Sequence, residues 1–427
     1  MNDSGSPTPV KKRHVFFLSG FDPKGASYYH GVYAAEAAKR AAVGDIALTV
    51  SRRQRGEAGN TTWTIRHQRT ATTGAHARNL AEPPTDTVYE YLRWDDIVRA
   101  HWPRSLPRLL ADTIFGFAVF TPCGAIRRMS EMAPATGRAG VVMGLVFPVS
   151  LLASVLVALL VGWLVGAFGA GAVVGGVVGL AVLAAGVYAS NTFEKRYSPS
   201  WMSRIIAFVA KLSHGRVKEM NGRLDAMAER IAHRLRDPDI DEVLVVGYSV
   251  GSILAVSTVT RAMRLQDAHA HTSLDPETAP APAPVIPRRA TLSLLTIGHC
   301  IPMLALLPRA KVYREELAEI ASRPGLTWCD FSAPGDWGSF AMVDPIGECK
   351  IPVVDRQPAR PQLRSPRFHT LFAPAAYDLL KKNKRRLHLQ YLMTGDLPGD
   401  YDYFAITAGA QTLAQRYPAD APSPADS

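Results

Sequence analysis

The dominant feature of the hydropathy pattern is a stretch with no charged side chain, bounded by Arg138 and Glu194. At about 1.5 Å rise per residue, Val141 to Phe168 is long enough to cross a bilayer core of about 30 Å. Ala172 to Ala189 is close to the shortest length that suffices. Gly166 to Gly171 (Gly-Ala-Phe-Gly-Ala-Gly) is the natural turn between them, so a helical hairpin is expected. Gly162/Gly166 and Gly175/Gly179 have the spacing that lets two membrane helices approach closely. A hairpin buried in a soluble core is the alternative, but an uncharged run of this length is rare in soluble domains. Arg127, Arg128 and Arg138 precede the run, and Lys195, Arg196, Arg204 and Lys211 follow it. The excess of basic residues on both flanks places both on the cytoplasmic side. The expectation is a two-helix, multi-pass protein of a bacterial inner membrane, with the remaining chain cytoplasmic. Thr113 to Phe120 is apolar but too short to span; an interfacial and a core position fit it equally.

Outside the hairpin the pattern is mixed α/β. His14 to Ser19 reads as a strand and Tyr28 to Ala42 as an alanine-rich helix. Ile46 to Ser51, Thr62 to His67 and Val88 to Leu92 read as strands, two of them paired in a hairpin. Val217, Met220, Leu224, Met227, Ile231 and Leu235 recur at three and four, which predicts an amphipathic helix. A strand at Val243 to Val246 follows, then strands at Leu292 to Ile297 and Leu326 to Asp330. Pro and Ala dominate Asp275 to Pro287, an expected exposed loop. The organisation is then a disordered N-terminus (1–13), a first catalytic part (14–138), the membrane hairpin (139–190), a second catalytic part (200–416) and a disordered tail (417–427).

Bulk properties narrow the picture only slightly. The 427 residues leave room for more than one unit, and 48 Lys and Arg against 37 Asp and Glu give a net charge of +11. That sign suits an anionic membrane surface or a nucleic acid. The basic residues flank the hairpin and do not alternate with aromatics, so nucleic-acid binding is not expected. Cys123, Cys300, Cys329 and Cys349 form no Cys-x-x-Cys pair and read as free thiols in a reducing compartment. The N-terminus is polar, with Pro7 and Pro9, and does not resemble a cleavable signal peptide.

The chemistry concentrates at Gly247-Tyr248-Ser249-Val250-Gly251, directly behind Val243-Leu244-Val245-Val246. A strand entering Gly-x-Ser-x-Gly and leaving as a helix (Ile253, Leu254, Val256, Val259) holds a serine hydroxyl above the end of a sheet, within reach of a histidine. In this motif and in the order of its elements, the chain resembles the α/β-hydrolase superfamily, in its lipase and esterase branches. That resemblance implies a mostly parallel sheet flanked by helices and a triad in the chain order Ser, Asp, His. For the acid, Asp336 in the Pro-Gly loop past the Leu326 strand is preferred over Asp330, with Asp344 third. For the base, His369 precedes the helical run to Leu380, where the superfamily places it. His388 lies in a strand-like Leu-His-Leu-Gln-Tyr-Leu pattern and reads as structural, and His299 precedes the acid. The resemblance also implies an oxyanion hole from the Val250 N–H and a second donor, taken as Phe21, in Ser19-Gly20-Phe21-Asp22-Pro23. Ser19 stands there in place of the lipase histidine.

These expectations combine into a membrane-anchored serine hydrolase acting on a lipid or other lipophilic ester through an acyl-serine intermediate, with no metal or organic cofactor. A catalytically silent scaffold or signalling protein of the same fold, and an acyltransferase using the same triad, are the alternatives.

Overall fold

The computed structural model describes residues 8–44, 46–69, 84–272, 290–356 and 360–419. The Pro- and Ala-rich stretch from Asp275 to Pro287 lies outside the described residues, as do positions 1–7 and 420–427. The chain divides into two compact units, one of residues 1–100 with 217–427 and the other of residues 101–216.

In the first unit, nine strands form one mixed sheet among the described residues. They are β1 (Lys12–Leu18), β2 (Ile46–Val50), β3 (Gln54–Arg55), β4 (Thr61–Arg69), β5 (Thr85–Tyr91), β6 (Glu242–Tyr248), β7 (Thr291–Ile297), β8 (Thr327–Phe331) and β9 (Gln362–Arg364). Their order is β2-β4-β5-β1-β6-β7-β8-β9, with β3 pairing β4. From β5 to β9 all neighbours are parallel, while β2, β3 and β4 pair antiparallel. The fold class is therefore α/β with a mostly parallel sheet.

Every residue of β6 is buried, which explains its unbroken apolar run. A parallel central strand is covered by helices on both faces and cannot alternate apolar with polar. One face carries an aromatic layer in which Trp63 stacks on Tyr89 at 4.5 Å and Tyr33 meets Phe404 at 4.9 Å. The helices Glu219–Leu235 and Gly251–Thr272 pack together, and the first buries Met220, Leu224, Met227 and Ile231, the stripe read from the sequence. Order extends past the expected limits at both ends. The Val10 N–H donates to the Ala410 carbonyl at 2.7 Å, and the Tyr417 ring packs 5.0 Å from Phe331, so residues 8–13 and 417 belong to the fold.

The second unit is built on two long helices, Pro134–Val165 and Gly171–Tyr197, both long and apolar enough to cross a membrane. Phe168 and Gly169 break the helical conformation between them, with Gly169 at φ +108° and Gly171 at +77°, where glycine is needed. The turn is thus where the sequence placed it. The two helices meet through their glycines. A Cβ on Gly162 would lie 2.9 Å from the Gly175 carbonyl oxygen, and one on Gly179 would lie 3.0 Å from that of Ala158. The outward side chains are apolar and bare: Leu159, Trp163, Val173 and Leu180 are each at least 65% exposed. Where the charge-free run ends, buried Glu194 pairs with Arg204 at 2.7 Å and accepts from the Ser200 hydroxyl at 2.8 Å. Thr113 to Phe120 falls in a helix, Leu106–Phe120, that packs through Gly116 on Ile206 and Ala207. Asp112 on this helix pairs with Lys211 at 2.7 Å.

Candidate active site

At the C-terminal end of β6 the chain reverses at Ser249 and continues as the helix Gly251–Thr272. Ser249 holds φ +55°, a left-handed conformation costly for a residue with a Cβ. The strain persists because the surroundings fix the turn: the Ser249 N–H donates to the Ile297 carbonyl at 2.9 Å, and the Ser252 N–H returns to the Ser249 carbonyl at 3.0 Å. A Cβ on Gly251 would overlap the Leu18 and Ser19 carbonyl oxygens at the end of β1. Gly251→Ala should therefore destabilise the protein by about 1–3 kcal/mol. Gly222→Ala, on an open helix face, should raise stability by about 0.5–1 kcal/mol. Thermal melts of the two variants should shift in opposite directions.

The residue that meets the serine is His388. Its Nε2 lies 3.0 Å from Ser249 Oγ and its Nδ1 lies 2.8 Å from Asp336 Oδ2. The three side chains thus form one hydrogen-bonded line, and all three residues are buried. Ser249 itself is only 2% exposed. Asp336 also accepts from the Gly338 N–H at 2.9 Å and the Tyr391 hydroxyl at 3.0 Å. Burial by itself would raise the Asp336 pKa. His388, the Gly338 N–H and the Tyr391 hydroxyl outweigh it and hold the carboxyl below its ordinary range. An ionised Asp336 on Nδ1 fixes the imidazole with its free lone pair toward the serine, the arrangement that takes a proton from Oγ.

His369 is not part of this line. It lies in a short turn, Phe368–Thr370, exposed to solvent and edge-on to the Tyr377 ring at 6.2 Å. Phe368 occupies the inward position, 5.1 Å from the Tyr391 ring, and so turns its neighbour outward. His388 sits in a helix, Lys384–Leu389, and not in the strand its alternating neighbours suggest. Asp330 and Asp344 are also elsewhere. Asp330 accepts from the Thr296 hydroxyl at 2.7 Å and lies 3.8 Å from His299 Nε2. Asp344 caps a turn through the Ile346 N–H and pairs with Arg356 at 2.9 Å.

The two carboxylates respond to pH with opposite sign. Asp336 is depressed, so its contribution to stability is present above the unfolded carboxylate pKa of about 4 and is lost as pH falls through its folded value. Asp330 is raised by burial, so ionising it costs stability, and that cost grows as pH rises to its folded value. Asp330→Asn should therefore melt no lower than the wild type at neutral pH, with any gain shrinking in acid. Asp336→Asn should lower turnover by about 10³–10⁴-fold through the wrong imidazole tautomer. Melting curves and ester hydrolysis measured side by side separate the two.

The loop after β1 lies against Ser249. A Cβ on Gly20 would sit 3.1 Å from Ser249 Cβ, so only glycine lets the backbone approach so closely. Trp94 Nε1 donates to the Ser19 carbonyl at 3.1 Å, and the hydroxyls of Ser19 and Tyr91 are 3.0 Å apart. Phe21 follows Gly20 with its ring buried beside Trp94, and Val250 follows Ser249, buried at the helix start. On the other side, Cys300 Sγ is 3.8 Å from Ser249 Oγ; burial first of all pushes this thiol up to about 12, so it stays protonated. Among the described residues no cluster of side chains suits a metal ion. No family model, no characterised protein and no solved structure gives a significant match to this chain.

Proposed function

We propose that this protein is a membrane-anchored serine hydrolase of the α/β-hydrolase type, with Ser249 as nucleophile, His388 as base and Asp336 as the orienting acid. The observation that carries the reading is the continuous line Ser249–His388–Asp336, at 3.0 and 2.8 Å, beside a serine held at positive φ. In the forward step Ser249 Oγ attacks an ester carbonyl while its proton passes to His388 Nε2. Collapse of the tetrahedral intermediate breaks the bond to the alkoxide, which takes that proton and leaves as the alcohol. Water, deprotonated by the same nitrogen, then attacks the acyl-serine and releases the acid. The oxyanion would be met by the Val250 N–H, with Phe21 on the neighbouring loop as the second donor.

The apolar, bare exterior of the two long helices supports a bilayer anchor, and the basic flanks favour a cytoplasmic catalytic unit. A substrate with acyl chains suits an enzyme tethered to lipid. Against a silent scaffold stands the complete set of partners around Asp336, which a protein without chemistry has no need to keep ionised. Labelling with a fluorophosphonate tests the proposal. Covalent modification of Ser249 supports it, and an unreactive serine in folded protein sinks it.

A further inference from the structure

A cavity of about 560 Å³ opens beside the elbow, walled by Gly25, Ser27, Arg53, Arg55, Arg93 and Asp95. Sheet register puts it on the same edge as Ser249. β5 and β1 run parallel to β6, so Tyr91 at the end of β5 and Ser249 after β6 leave the same side. β4 is antiparallel to β5, which sets Thr61 opposite Tyr91, and Arg55 on β3 pairs with Thr61. Tyr91, the wall nearest the elbow, is two strand spacings, about 10 Å, from Ser249, and Thr61 on β4 and Arg55 on β3 lie one and two spacings further out. Tyr91 links the two places, since it lines the cavity and meets the Ser19 hydroxyl, next to the glycine that abuts Ser249.

The cavity carries an excess of positive charge, three arginines against Asp95. Among the described residues, Arg53, Arg55 and Arg93 have no carboxylate partner within ion-pair distance. The neighbouring acids are committed elsewhere: Asp95 to Arg99, Asp96 to Arg223 at 2.8 Å, and Glu57 to Arg230 at 2.6 Å. The start of the helix Ala26–Val43, at Gly25, faces the Asp95 carboxylate, so the arginines carry the positive charge of the cavity. Guanidinium groups match the geometry of phosphate oxygens.

We propose that this cavity holds a phosphate group of the ester that Ser249 attacks, so that the substrates are acyl esters carrying a phosphate. This rests on the hydrolase reading for its consequence, and its test does not require turnover. Full-length Ser249→Ala protein in nonionic micelles is titrated with dioctanoyl phosphatidic acid and with dioctanoylglycerol, with and without glycerol 3-phosphate as competitor. The phosphate-bearing lipid should bind at least tenfold more tightly, and the difference should vanish in Arg53→Gln/Arg55→Gln and in Arg93→Gln. Arg53 and Arg55 are exposed, so removing their charge leaves the fold intact, as an unchanged melting curve would verify. Competition by glycerol 3-phosphate supports the site and points to soluble phosphate esters; tight binding without competition supports it and points to a lipid headgroup. Equal affinity for the two lipids, or an advantage that survives both sets of substitutions, overturns it. Failure of fluorophosphonate labelling in the wild type would strike the hydrolase reading alone.

Discussion

Ser249→Ala and His388→Ala should each lower hydrolysis of a short-chain chromogenic ester by about 10⁴–10⁶-fold and abolish fluorophosphonate labelling, while His369→Ala retains the wild-type rate. The size of the effect follows from the geometry. Ser249 Oγ is a weak nucleophile without a base, and the base within hydrogen-bond distance is His388 Nε2 at 3.0 Å. Removing either partner removes the same step, so the double variant should be no worse than the single ones. His369 is exposed and touches Tyr377 alone among the aromatic rings, so its loss removes nothing from the reaction. Full activity in His388→Ala, or loss in His369→Ala with the fold intact, would reject the assignment.

The hairpin carries the second large effect. Wild-type protein should resist carbonate extraction, and deletion of residues 141–189 should release most of it to the soluble fraction. Between Arg138 and Glu194 the exposed surface of Pro134–Val165 and Gly171–Tyr197 carries large apolar side chains and no charge. Each side chain of this kind gains about 1.5–3 kcal/mol on leaving water, which is the driving force the proposed anchor uses. Cysteines introduced at Arg138 and Lys195, in protein with Cys123 replaced by serine, should both be shielded from an impermeant thiol reagent in intact cells. Labelling of one alone would indicate a single crossing; labelling of both would invert the topology.

The turn at Ser249 and the two long apolar helices were legible in the sequence because each is set by consecutive residues. The elbow needs small residues at Gly247 and Gly251, where a Cβ would collide with Ala255 and with the end of β1. Asp336 was legible as the carboxylate in the loop beyond β8, but the histidine that meets it was not. Leu387, Leu389 and Tyr391 alternate with polar residues as a strand would, but the stretch is a short helix followed by a turn. The available signal was the pair His388 and Tyr391, three apart and so on one helical face; both reach Asp336. Locally His369 looked better placed, and only the inward packing of Phe368 decides otherwise. The cavity beside the elbow was hidden for the same kind of reason. Its arginines come from β3, the loop before it and the end of β5, which only antiparallel pairing brings together.

The place of the membrane segment in the chain sets an order of events during synthesis. β1 pairs with β5 on one side and β6 on the other, yet Arg13 on β1 meets Glu242 on β6 across 229 residues of chain. The ribosome delivers β1 to β5, then the entire second unit, and only afterwards the strand that ends in Ser249. At about 5–20 residues per second, the first strands wait many seconds for their central neighbour while the hairpin is already emerging. The half-sheet meanwhile has an open edge along β1. With the hairpin as the proposed membrane anchor, insertion comes before closure of the sheet, and Ser249, then Asp336 and His388, join a chain already fixed in place.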